Sequence, residues 1–148
     1  MEVKMKKRIL TGITALSLAL VLTGCGSNTD KLTCTQNTES NGFKSEVKLT
    51  YKLKKNKITN LTETKKITLD GDMLQYLEEN KTSAQNIVDS YANVAGIKAT
   101  TESTDNSVTV TTEYDADTMD STYKDAVNMN ESYESLKEIK ANEGYSCK

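Results

Sequence analysis

The sequence predicts an α+β domain: an antiparallel β-sheet of about five strands, with helices packed on one face. Three observations carry this. From Phe43 to Leu53 the odd positions are Phe43, Ser45, Val47, Leu49, Tyr51 and Leu53, with Lys, Glu and Thr between them. That period of two marks a strand with one buried and one wet face. From Met73 to Ala95 the period becomes helical, with Ala84, Ile87, Val88, Tyr91 and Ala95 on one side. Finally, strand-like runs come in groups and do not alternate singly with helices, which favours an antiparallel sheet.

The chain opens with Lys4, Lys6, Lys7 and Arg8, followed by an apolar run from Ile9 to Leu22 broken only by Thr11, Gly12, Thr14 and Ser17. At about fourteen residues the run is shorter than the roughly 20 that a stable membrane-spanning helix needs. It ends in Leu22-Thr23-Gly24-Cys25. An ordinary secretory signal closes on an A-x-A-like site. A Leu-x-Gly-Cys ending resembles instead the signal of a bacterial lipoprotein. Residues 1–24 are therefore expected to be a signal peptide cut between Gly24 and Cys25, with a lipid on the Cys25 thiol. That lipid is the expected membrane attachment and places the protein on the extracytoplasmic face of the cell membrane. Residues 25–31, small and polar after Cys25, read as a lipidated flexible tether, and 32–148 as a single domain.

Within that domain, Leu32 to Asn37 reads as a short strand carrying Cys34, and Asn41-Gly42 as a hairpin turn into the alternating strand. Lys55-Asn56 makes the next turn. Ile58 to Leu69 is a third strand whose phase changes: Ile58 and Leu61 are three apart, whereas Leu61, Ile67 and Leu69 share one parity. A bulge near Asn60 reconciles them. Met73, Leu74, Tyr76 and Leu77 form an apolar cluster, and the polar break Glu78 to Lys81 suggests two helices parted near residue 80. Thr82 or Ser83 is the expected cap of the second and Gly96 its stop. Ile97 to Thr101 and Val108 to Tyr114 are two further strands, joined by the turn residues Thr104-Asp105-Asn106. Asp115 to Asp120 reads as an acidic connector, Ser121 to Met129 as a weak helix, and Ser132 to Asn142 as a helix. In the last, Glu131 and Glu134 lie early and Lys137 and Lys140 late, matching the helix dipole. Tyr145 and Cys147 then return to the sheet.

Composition excludes several functions. The 19 basic and 21 acidic residues become 15 and 20 once residues 1–24 are removed, a net charge of −5. The remainder has no Arg, His, Trp or Pro. Net negative charge without Arg argues against nucleic-acid binding, and the absence of His removes the commonest general base and metal ligand. With Cys25 lipidated, Cys34 and Cys147 remain as an even pair outside the cytoplasm, where a disulfide is expected. The alternative is two reduced, buried thiols. The bridge would close a loop of more than a hundred residues, worth about 4–5 kcal/mol by chain entropy.

No G-x-S-x-G, H-E-x-x-H, G-x-x-x-x-G-K or C-x-x-C occurs, so no catalytic, cofactor or metal residue is singled out. Asp115, Asp117 and Asp120 make the densest acidic patch, with Glu113 and Asp125 nearby. A calcium loop starting at Asp115 would want a ligand at 119, Gly at 120 and Glu at 126, where the chain has Met119, Asp120 and Ala126. Helix capping within a solvated connector fits better. Lys44, Lys48, Lys52 and Lys54 form a basic stripe that contacts anionic head groups or simply solvates the sheet.

Leu32-Thr33-Cys34-Thr35, Glu46-Val47-Lys48-Leu49-Thr50-Tyr51, Ala95-Gly96-Ile97-Lys98 and Gly144-Tyr145-Ser146-Cys147, following Cys25, resemble the YehR-like family of small bacterial lipoproteins. The resemblance spans the whole mature domain and implies an α+β fold, the anchor and the disulfide. It implies no catalytic residues. The expected function is a non-catalytic binding or interaction module of the cell envelope, a monomer whose partner is an unidentified envelope protein or ligand. The alternatives are a small-molecule or ion-binding accessory of a membrane system and an unrecognised hydrolase.

Overall fold

The computed structural model describes residues 29–148. The expected signal cleavage between Gly24 and Cys25, the expected lipid on Cys25 and the start of the expected tether fall outside the described residues.

Six strands form one antiparallel sheet: β1 (Thr29–Ser40), β2 (Phe43–Lys54), β3 (Lys57–Leu69), β4 (Ile97–Ser103), β5 (Ser107–Asp115) and β6 (Ser146–Cys147). Their spatial order is β4-β5-β3-β2-β1-β6. The β1–β2 connection is the expected Asn41-Gly42 turn, both residues at positive φ (41° and 81°), which matches the twist of the flanking strands. Lys55 and Asn56, at 51° and 60°, repeat the device between β2 and β3.

The expected bulge is present. Lys52 pairs with Asn60 while Leu53 pairs with Ile58, which makes Thr59 the extra residue. Its hydroxyl donates to the Lys52 carbonyl at 3.2 Å, and its carbonyl accepts the Ala116 N–H at 3.0 Å. Ile58 and Leu61 thereby both enter the core.

Several boundaries differ from expectation. β1 starts at Thr29, inside the stretch read as tether, and ends at Ser40, because every residue through it pairs with β2. The helical region does not break near residue 80. A 3₁₀ segment, Gly71–Tyr76, runs into one helix, α1 (Leu77–Tyr91), so that Thr82 and Ser83 are interior to it and cap nothing. The polar residues of the supposed break bond along the helix instead. Lys81 pairs with Glu78 at 2.7 Å, and the Thr82 hydroxyl donates to the Glu78 carbonyl at 3.0 Å. On the apolar stripe only Ala84 is fully buried, and Ile87 is 39% exposed.

The acidic connector is not simply solvated, since Ala116 and Met119 plug the core. The weak helix is shorter than expected: α2 spans Ser121–Ala126, and Met129 beyond it is buried. The last helix, α3 (Tyr133–Asn142), has Ser132 as its cap, accepting the Ser135 N–H at 3.3 Å. Lys140, read as a late cation matching the helix dipole, lies in its last turn, is only 7% exposed and pairs with Glu143 at 2.7 Å.

Both long helices lie on one face of the sheet. Ala84 of α1 packs on Val108 and Val110 of β5. Leu136 of α3 joins Leu32, Cys34, Leu49, Tyr51, Leu53 and Leu61 in the main core. Cys34 faces Cys147 across β1 and β6 and is bonded to it, with Cα atoms 4.0 Å apart. The neighbouring Thr33 and Lys148 exchange both backbone hydrogen bonds at 2.9 Å. The cysteines therefore occupy a non-hydrogen-bonded pair, the position at which facing side chains come closest.

Candidate functional site

Strand register assembles the inner face row by row. One row reads Ile97, Tyr114, Leu61, Tyr51 and Leu32, and is apolar or aromatic throughout. The next reads Ala99, Thr112, Glu63, Leu49, Cys34 and Cys147. Glu63 is thus a carboxylate on a central strand, on the side where the helices pack. Its side chain is 19% exposed, and its Oε1 lies 2.8 Å from the Lys65 ammonium, which is 54% exposed. A charge held mostly out of water is costly unless paired, and the exposed lysine provides that pairing from the open side.

Tyrosines surround the pair. Burial, chiefly, pushes the Tyr51 phenol well above its ordinary range, with the charges of Glu143 and Glu63 adding to the shift. Burial likewise raises Tyr114, helped by Glu63 and Tyr91, and Tyr145 is raised by burial and Glu63. These phenols stay neutral, so the one fixed negative charge near them is that of Glu63. Lys140 lies 5.7 Å from the centre of the Tyr145 ring and, with Glu143, closes the α3 side.

On the α1 side, Lys65 borders a cavity of about 110 Å³ whose other walls include Ile67, Ala84, Ile87, Val108 and Val110. The volume suits one aliphatic group and is far below the roughly 300–1,000 Å³ of sites for drug-sized ligands. A second, polar depression of about 410 Å³ lies on the uncovered face, lined by Lys52, Asn60, Lys98, Glu113 and Asp115 among others.

The acidic patch is occupied locally. Asp115 accepts from the Asp117 N–H at 3.0 Å and from the Thr118 hydroxyl at 3.2 Å. Asp120 caps α2 by accepting the Thr122 N–H at 2.8 Å, a bond that holds its carboxyl below the usual value. Asp117 is not drawn into these bonds as an acceptor. Among the described residues no group of three His, Cys, Asp or Glu side chains is placed to hold a metal ion. The basic stripe lies on the uncovered sheet face, where Lys44 pairs with Glu46 at 3.3 Å.

Sequence reading singled out Cys34 and Cys147 and missed Glu63 and Lys65. The signal was there: the parity that turns Leu61, Ile67 and Leu69 to the helix-covered side turns residues 63 and 65 the same way.

No family model matches the chain, and no curated protein matches it. Two solved structures do. The NMR structure of Escherichia coli YehR is 16% identical, with a TM-score of 0.57, over 80% of this chain and 91% of that one. The NMR structure of a protein from Streptococcus pneumoniae TIGR4 is 14% identical, with a TM-score of 0.52, over 99% of both chains. Among the described residues no helix is long and apolar enough to cross a membrane. The domain thus has a YehR-like fold.

Proposed function

We propose that this chain is a non-catalytic binding module of the bacterial cell envelope, held at the membrane by a lipid on Cys25 after cleavage at Gly24. Its ligand is a small solute with a charged head and one aliphatic group. The observation that carries the binding reading is the Glu63–Lys65 pair on the helix-covered face, beside an apolar cavity. Glu63 and Lys65 pair with each other at 2.8 Å, and a zwitterionic head such as that of a free amino acid exchanges this one ion pair for two, its ammonium on Glu63 and its carboxylate on Lys65. The Ile67, Ala84, Ile87 and Val108 walls take the side chain. The non-catalytic reading is supported by a chain without His, in which Cys34 and Cys147 are committed to each other.

Titration of the ¹⁵N-labelled protein with free leucine, and with serine as a polar control, tests the site. Amide shifts clustered at Glu63, Lys65, Ala84 and Val108, stronger for leucine and lost in Glu63→Leu, are expected. Shifts confined to other regions, or none with either probe, would sink the reading. The anchor is tested separately: Cys25→Ala, or globomycin treatment, should release the protein from membranes, and continued retention would refute lipidation.

A further inference from the structure

β4 is one margin of the sheet: β5 pairs with one side of it, and among the described residues no strand pairs with the other. The bonds at its ends show which backbone groups lie open. The Asp115 N–H donates to the Gly96 carbonyl at 2.8 Å, and the Thr104 N–H to the Ser107 carbonyl at 2.9 Å. Successive residues of a strand aim their N–H and C=O groups to opposite sides. Lys98, Thr100 and Glu102 therefore face β5, and Ile97, Ala99, Thr101 and Ser103 aim outward. The Ile97 N–H is already donated to the Val94 carbonyl at 3.2 Å. The other edge differs, because β6 covers the middle of β1 and Gln36 donates to the Glu143 carbonyl at 3.1 Å.

We propose that the β4 margin docks a second copy of this chain, β4 against β4, antiparallel about a two-fold axis through Thr100. In this register Ala99 faces Thr101 of the second copy, and Ile97 faces its Ser103. Outward-aimed residues then meet outward-aimed residues, as an antiparallel ladder requires. The Ala99–Thr101 pairs exchange hydrogen bonds in both directions, and each Ser103 N–H reaches the Ile97 carbonyl opposite. Charge selects the register. Lys98 comes opposite Glu102 of the second copy and Glu102 opposite its Lys98, at non-hydrogen-bonded positions where side chains are closest. Among the described residues neither is in an ion pair within its own chain. Sliding the strands by two residues preserves the backbone parity but sets Lys98 or Glu102 against Thr100 and breaks both charge pairs. The contact is self-complementary, as a two-fold interface must be. One seven-residue strand buries less than the roughly 1,200 Å² of stable complexes, so the dimer is a weak one.

Sedimentation equilibrium of the full chain in density-matched detergent tests the proposal. The mass should rise from monomer towards dimer with concentration and fall again as salt is added. Lys98→Glu faces acid with acid twice in the seam and should weaken association about tenfold, and adding Glu102→Lys should restore it. Thr101→Pro removes an outward N–H at an edge, where proline is tolerated, and should abolish association with the circular dichroism unchanged. A monomer at every concentration overturns the proposal, as does a dimer that either Lys98→Glu or Thr101→Pro leaves intact.

Discussion

Gly96 joins α1 to β4 at a φ of +76°, and a Cβ there would lie 2.5 Å from the Met119 backbone nitrogen. Gly71 has a similar φ of +58° with open space around it. The two positions separate conformational cost from steric cost. Gly71→Ala is expected to lose about 1 kcal/mol, and Gly96→Ala to lose at least about 1–3 kcal/mol, because the backbone of the core plug must also move. Chemical denaturation of both variants checks the order, and equal losses would contradict the close approach. Tyr51 and Tyr114 supply a second residue-scale expectation. Their folded-state phenols ionise above the ordinary value of about 10, so above that pH the unfolded chain holds fewer protons than the folded one. Stability is then complete below pH about 10 and declines as the pH rises further. Ultraviolet titration should show a late group among the seven tyrosines that ionises together with unfolding, and Tyr51→Phe should shrink it. Glu63 was legible in principle, because strand parity alone turns it inward. Period-two reading looks for apolar residues, however, and passes over a carboxylate that shares their phase.

At the scale of elements, local signals translated well. Both hairpin turns depend on a few adjacent residues whose backbone preferences act without help from the rest of the fold, and the bulge shows in the change of parity between Ile58 and Leu61. The course of α1 was harder to read, since Glu78 to Lys81 is polar because that stretch faces water, and a helix with only one fully buried residue gives weak periodicity. Met119 and Met129 were equally obscure. Each lies in a run of mainly polar residues with no clear period, Met119 near Ala116 and Met129 near Val127, and only the tertiary packing brings them inward. The cap of α3 is a cleaner case. Ser132→Ala leaves the Ser135 N–H without its partner and should cost about 1 kcal/mol, read as a lower denaturation midpoint with an unchanged slope. Ser132→Asp should recover most of the loss.

For the whole molecule, the Cys34–Cys147 bridge spans 113 positions. A closure of that length stabilises by constraining the unfolded chain, about 4–5 kcal/mol in the entropic account. Cys34→Ser with Cys147→Ser should therefore lower stability by about 2–5 kcal/mol, visible as a reduced melting temperature, and an unchanged one would show that the inner-face packing alone holds β6. The bridge was legible from the cysteine count together with the expected compartment. That it joins directly opposed residues was not, because the pairing of β6 with β1 depends on where α3 delivers the chain. The same covalent closure makes nearly the whole domain a ring. A protease that cuts at the exposed Asp105 tip, or anywhere else between the two cysteines, opens the ring without producing a separate fragment. The nicked protein stays in one piece on a non-reducing gel and divides only when a reductant is added, so a single cut releases neither half.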